Sequence, residues 1–187
     1  MEHALAALTG RLATEDDLPA LRELMGLSID QLQQGFLSPA EIEASRSIMG
    51  LDTQLVLDRT YFIVEIGGDM AGCGGWSRRA TLYGGDHSGD VRNAALLDPT
   101  RDAARVRAMY THPAYTRRGV GRLLLHLSEA AAAAEGFGRV ELMATMAGEP
   151  LYRACGYQEI ERTMAGPAGR AIVPLIRMGK TIGPSVV

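Results

Sequence analysis

The stretch that most constrains this chain runs Met109-Tyr110-Thr111-His112-Pro113-Ala114-Tyr115-Thr116-Arg117-Arg118-Gly119-Val120-Gly121-Arg122-Leu123-Leu124. A strand-like run stops at a His-Pro pair, a loop carries two arginines, and Gly-x-Gly opens an Ala/Leu-rich helix. That order favours anion binding. Glycine lets the backbone come close to a ligand, the first N–H groups of a helix lack internal partners, and the helix dipole favours negative charge there. Arg117, Arg118 and Arg122 add positive charge beside those groups, and a pyrophosphate fits such a cradle. Two familiar phosphate loops are excluded. A dinucleotide fingerprint needs a third glycine where Leu124 stands, and a P-loop needs a Gly-Lys-Ser/Thr ending that is absent here. A Gly-x-Gly before a helix is weak by itself, and loop arginines are usually just solvated.

The flanking sequence supplies the framework. Thr14-Glu15-Asp16-Asp17 reads as a variant capping box, with Thr14 at N-cap and Asp17 replacing the usual Glu. Leu18, Leu21, Leu24 and Met25 follow at helical spacing. Ser38-Pro39-Ala40-Glu41 is a stronger start signal, for a helix carrying Ile42 and Ile48-Met49. The period then changes. Tyr61 to Ile66 reads as a strand, Gly67-Gly68-Asp69 as a turn, and Met70 to Ser77 as the return strand. Gly72, Gly74 and Gly75 in that strand predict a bulge or the close approach of another backbone or a ligand. Residues 78–103 are a loop insertion, a length usually kept for function. Regular structure returns with a strand over Arg105–Tyr110, a helix over Val120–Glu135 and a strand over Arg139–Thr145. A short helix spans Glu149 to Ala154 before Gly156, and two closing strands lie near Tyr157–Thr163 and Ala171–Met178, separated by Gly166-Pro167-Ala168-Gly169. The order predicts an α/β (α+β) domain with helices packed on a sheet.

At 187 residues the chain suits one well-filled domain, expected over residues 10–180. A net charge of −3 argues against binding nucleic acid through phosphate neutralisation. Cys73 and Cys155 are too few for a disulfide framework and lack metal-site spacing, so free thiols and no metal are expected. The opening Met1-Glu2-His3-Ala4 has no signal-peptide character and no run is long enough for a membrane span, so the expectation is a cytoplasmic protein with no membrane partner.

Taken with its neighbours, the His112–Leu125 stretch resembles the acetyl-CoA loop of the GNAT superfamily, the Gcn5-related N-acetyltransferases. Gly119 and Gly121 occupy the two small-residue positions of that family's Gln/Arg-x-x-Gly-x-Gly/Ala signature, while Thr116 stands where Gln or Arg is usual. Leu151-Tyr152-Arg153-Ala154-Cys155-Gly156-Tyr157 resembles a second family segment, and Arg11 to Asp17 and Met178-Gly179-Lys180 resemble its opening and closing elements. The resemblance covers about Gly10 to Lys180. It implies a central mixed, twisted sheet of about six to seven strands with helices on both faces.

It also implies roles. The backbone of Met109, Tyr110 and Thr111 would lie along a pantetheine arm, and the loop from Arg117 through Arg118, Gly119, Val120 and Gly121 to Arg122 would hold the pyrophosphate of acetyl-CoA, the co-substrate. Tyr152 is the expected general acid for the departing thiolate, and Glu65 the candidate general base, with an outward-facing strand residue as the competing reading. The activity implied is acetyl transfer to a primary amine of a small molecule or peptide. The alternative is a GNAT-fold module that binds acyl-CoA without efficient transfer. Arg78 and Arg79 suit an acidic acceptor, Asp86, Asp90 and Asp98 a polyamine or aminoglycoside, and Trp76 and Tyr83 are candidate pocket walls. His87 and His112 are the remaining titratable candidates. A homodimer formed through the C-terminal strands is the partner expectation.

Overall fold

The structure is a computed structural model that describes residues 7–166, 169 and 171–183. Pro167 and Ala168 of the expected closing turn lie outside the described residues, as do Met1 to Ala4 and the side chain of Asp90.

Seven strands form one sheet: β1 (Leu8–Leu12), β2 (Tyr61–Ile66), β3 (Asp69–Ser77), β4 (Ala104–Thr111), β5 (Arg139–Thr145), β6 (Gln158–Ala165) and β7 (Val173–Thr181). They lie in the order β1-β2-β3-β4-β5-β7-β6. All neighbours are antiparallel except β4 and β5, which run parallel. A parallel pair needs a crossover, and α4 (Val120–Ala134) provides it. The other helices are α1 (Leu18–Leu32), α2 (Pro39–Ser45), α3 (Thr53–Leu57) and α5 (Glu149–Ala154).

Local chemistry explains the boundaries. Asp17 accepts from the Thr14 N–H at 2.8 Å, closing the variant capping box before α1. At α2 the Ser38 N–H donates to Glu41 at 2.7 Å and Pro39 stands at N1. This helix stops at Ser45, short of Ile48-Met49, because Ser45 and Ser47 donate their hydroxyls back to the Ile42 and Ala44 carbonyls. The five-residue α3, capped by Asp52, carries too few residues to show a helical period and was not foreseen.

Each face of the sheet is covered. On one, Leu21, Leu24, Met25 and Ile29 of α1 meet Tyr61, Ile63, Cys73 and Tyr110. On the other, Val120 and Leu124 of α4 meet Val64, Ile66 and Ala71, and Leu125 and Ala132 meet the larger cluster around Trp76, Val140 and Ile176. Gly72 makes the second contact close: a Cβ there would stand 2.4 Å from Val120 Cγ1 and 2.9 Å from the Tyr110 carbonyl. No helix among the described residues is long and apolar enough to cross a membrane.

Candidate active site

The parallel neighbours β4 and β5 pair only at Ala104–Val140 and Arg105–Glu141. Beyond Arg105 they part, and the β5-facing backbone groups of β4 from Val106 onward have no ladder partner. A bulge helps to turn β4 aside. Ala108 has φ +51°, and the register with β3 slips between Cys73 and Gly75. Gly74 makes room for it, since a Cβ there would lie 2.3 Å from Met109 Sδ and 3.3 Å from its Cα. The Tyr61 hydroxyl holds the bulge from below, donating to the Ala108 carbonyl at 2.6 Å.

A cavity of about 480 Å³ occupies this opening. Met109, Tyr110 and Thr111 line it from β4, and Leu142, Met143 and Thr145 from β5. At one end are Thr116, Arg117 and Gly121, at the start of α4. Arg117 (φ +62°) and Gly119 (φ +88°) are both left-handed, folding the chain back so that α4 begins on a glycine N-cap with no side-chain cap. The leading N–H groups of α4 therefore lack helical acceptors, and the dipole points its positive end at this corner.

The arginines divide. Arg117 lines the cavity and has no ion-pair partner among the described residues. Arg118 instead lies over the Tyr115 ring at 5.5 Å, and Arg122 donates to the Cys155 sulfur at 3.7 Å. Val120 buries its side chain under α4, so only its N–H is available to a ligand.

Tyr152, on α5, also lines the cavity. It is 8% exposed, meets the Tyr157 ring edge-on at 5.9 Å, and its hydroxyl has no hydrogen-bond partner among the described residues. Burial pushes its pKa well above the usual tyrosine range, with nearby Cys155 adding to the rise. Gly148 gives the ring its place, because a Cβ there would sit 2.9 Å from Tyr152 Cε2.

Glu65 is not brought to this cavity. Its carboxylate accepts from Arg11 Nε at 2.8 Å, and Arg11 in turn grips Asp17. The antiparallel register sets Arg11 beside Ile63, two residues from Glu65, which makes that pairing the natural one. Glu65, expected either as a base or as an outward-facing strand residue, is a partly exposed side chain tied to Arg11. No Asp, Glu or His among the described residues lines the cavity. His87 is held at 2.6 Å to the Arg46 carbonyl, and His112 accepts from the Ala114 N–H at 3.1 Å. Asp86 accepts from Thr53, Asp98 from Thr100, Arg78 pairs with Glu135, and Arg79 with Asp58. Of the two aromatic candidates Tyr83 lines the cavity, while Trp76 is buried against Phe137.

Two cavity residues escaped the sequence reading. Arg107, 4% exposed, places Nη1 2.9 Å from Asp52 and donates Nη2 to the Gly84 carbonyl, fastening the 78–103 loop at the cavity. Asp52 is 2% exposed and also takes Arg92 at 3.0 Å. A second arginine two residues after Arg105, set between Val106 and Ala108 in the middle of a strand, is the signal that something buried must answer it. Gln33 is the second: its Nε2 donates to Ser45 at 3.0 Å, and its amide oxygen is buried without a partner.

Comparison with known proteins fits this geometry. No curated sequence matches the chain. In three dimensions it is similar to a GCN5-related N-acetyltransferase from Rhodopseudomonas palustris, with TM-score 0.71 and 18% identity over 97% of this chain and 100% of that one. It is similar to the PaiA N-acetyltransferase from Thermoplasma acidophilum, solved with coenzyme A, at TM-score 0.63 and 14% identity over 94% and 99% of the two chains. It is also similar to YncA from Salmonella typhimurium, solved with acetyl-CoA, at TM-score 0.62 and 17% identity over 97% of each. At these identities the structures speak for the fold. Residues 58–159, more than half of the chain and including the splayed strands, the glycine loop and Tyr152, match the family model of the GNAT acetyltransferase domain, and the chain belongs to that family.

Proposed function

We propose that the chain is an acetyl-CoA-dependent N-acetyltransferase, passing the acetyl group directly to a primary amine of a small molecule while both substrates are bound. What carries this reading is one continuous cavity, reaching from the anion corner at Arg117 and Gly121, past Tyr152, to Gln33 and Tyr83 beyond the splayed strands. Two substrates entering from opposite ends of such a cavity meet in its middle.

The residues present fit the co-substrate. Unpartnered N–H groups at the start of α4 and the unpaired Arg117 suit a diphosphate. Unpaired backbone groups along Met109 to Thr111 suit the amides of a pantetheine arm. Thr116 lines the same corner with its hydroxyl turned to the Pro113 carbonyl at 3.3 Å, so the departure from the family signature leaves the backbone cradle intact. Arg118 and Arg122, engaged with Tyr115 and Cys155, contribute through their backbone positions.

When bound, acetyl-CoA supplies a thioester carbonyl for the amine to attack. As the new C–N bond forms and the C–S bond breaks, the departing sulfur needs a proton, and the Tyr152 hydroxyl on the cavity wall can give it. That phenol is protonated at neutral pH, and burial raises its pKa further. The proton shed by the amine returns to Tyr152 through water, so the enzyme ends as it began. Glu65, bound to Arg11, takes no part.

Thermal-shift titration with acetyl-CoA, CoA and ATP tests the co-substrate. Binding to the folded state adds about 2.7 kcal/mol at a hundred-fold excess over Kd. For a chain of this size that is about 5–10 °C in Tm. Stabilisation by both CoA species and not by ATP is expected; no response to either CoA species would remove the proposal.

A further inference from the structure

From the wall of the acceptor half of the cavity, and resting on the transferase reading above, we infer that the acceptor is a small monoamine on an apolar body and that polycationic amines are excluded. Beyond Tyr152 the lining comes from the end of α1 and the turn that follows it, the segment after α2 and the 78–103 loop: Leu32, Phe36, Ile48, Met49, Leu82 and Tyr83. Amine sites for polyamines or aminoglycosides need carboxylates to meet several ammonium groups, because an unpaired cation loses its hydration on entering such a wall. The described lining offers none. The aspartates that would suit such ligands are engaged elsewhere, Asp86 with Thr53 and Asp98 with Thr100 and Arg101.

The two lining arginines do not change the sign in favour of a cation. Arg117 is unpaired and positive, at the phosphate corner. Arg107 is paired from behind with Asp52 at 2.9 Å, a carboxylate it shares with Arg92, and Asp86, 3.8 Å from Arg92, balances the second arginine. The acceptor half is therefore apolar and close to neutral, with the buried amide oxygen of Gln33 available as a hydrogen-bond acceptor for a substrate N–H after a small side-chain shift.

The same wall accounts for a cavity that no carboxylate or histidine lines among the described residues. An apolar surround disfavours the ammonium form and lowers the pKa of a bound amine, so the cavity itself presents the neutral nucleophile. Phe36 marks the mouth. It is 53% exposed although it lines the cavity, so its ring stands at the edge where an acceptor would enter.

A panel assay follows CoA thiol release with phenethylamine, hexylamine, spermidine and kanamycin, beside the CoA thermal shift. The expected result is a kcat/KM at least a hundred-fold higher for one or both apolar monoamines than for spermidine or kanamycin. Phe36→Ser, at an exposed position, should raise the KM for that monoamine about ten-fold and leave the KM for acetyl-CoA unchanged. Equal or better use of spermidine or kanamycin overturns the inference, as does failure of both monoamines to react or an unchanged monoamine KM in Phe36→Ser. CoA stabilisation separates the two levels: if it persists, only the acceptor assignment falls, and if it is absent, the transferase reading falls with it.

Discussion

Asp52→Asn is the perturbation whose consequence the structure defines most closely. Asp52 and Arg107 are 2% and 4% exposed, and the carboxylate receives Arg107 Nη1 at 2.9 Å and Arg92 Nη2 at 3.0 Å. It also caps α3 by accepting from the Gln54 N–H at 3.1 Å, a bond that asparagine can retain. The substitution thus removes the charge and keeps the shape. Arg92 is 27% exposed and can turn toward water, but Arg107 cannot; burial already pulls its pKa down, and Asp52 is the main force opposing that pull. Stranding a buried charge in this way costs about 3–5 kcal/mol. With a urea slope near 2 kcal/mol per molar, the unfolding midpoint should fall by about 1.5–2.5 M. Urea titration followed by far-UV circular dichroism measures it. Adding Arg107→Met removes the stranded guanidinium and should recover part of the loss. A midpoint for Asp52→Asn within about 0.3 M of the parent, the size of an ordinary surface change, would refute the claim that this pair is an electrostatic unit under the cavity.

Gly148→Ala should push the Tyr152 ring aside through the 2.9 Å contact with Cε2; steady-state kinetics should show kcat falling about ten-fold or more while the acetyl-CoA Kd holds. The pH profile of kcat/KM should rise with the acceptor amine's own pKa and move when the acceptor is changed, because no carboxylate or histidine among the described residues lines the cavity. On its alkaline side the rate should hold past the ordinary tyrosine range, since burial raises the Tyr152 pKa; a descending limb near pH 10 would contradict this. Acid unfolding should depend on Asp17, whose carboxyl is lowered from 3.8 to about 2 chiefly by its hydrogen bond to Arg11. A depressed folded-state pKa gives stability that is present above 3.8 and lost as pH falls through 2, worth about 1 kcal/mol once screening at the half-exposed Arg11 is allowed for. Asp17→Asn should therefore weaken the protein at pH 7 and flatten its loss of stability between pH 4 and 2.

Much of the framework was legible because its signals are local. Ser38-Pro39-Ala40-Glu41 starts a helix by contacts made within four residues, and the Tyr61–Ser77 hairpin is written in its turn. Strand β5 covers Arg139–Thr145 as expected, and helix α5 lies between its local signals, Pro150 near the start and Gly156 past the end. The glycine loop was legible for the same reason: Gly119 carries its meaning at its own φ. What was hidden depends on distant partners. The positive φ of Ala108 needs the Tyr61 hydroxyl and the absence of a side chain at Gly74, two contributions from neighbouring strands. Asp52 and Arg107 stand 55 positions apart, and no spacing rule joins them. Glu65 is a carboxylate in an apolar strand whose partner no spacing within that strand reveals: Arg11, set opposite Ile63 on β1, reaches it diagonally. The rival acidic and basic sets in and around the 78–103 loop looked like substrate contacts, yet Arg79 pairs with Asp58 and Asp86 accepts from Thr53 around α3, Arg78 pairs with Glu135 at the end of α4, and Asp98 engages Thr100 and Arg101.

The most direct measurement is acetyl transfer by Tyr152→Phe at saturating acetyl-CoA and amine, with product mass read by mass spectrometry and acetyl-CoA affinity by calorimetry. The account predicts that kcat falls about a hundred-fold or more, as removal of a general acid requires, with the acetyl-CoA Kd within two-fold of the parent. Undiminished turnover by the phenylalanine variant would contradict it.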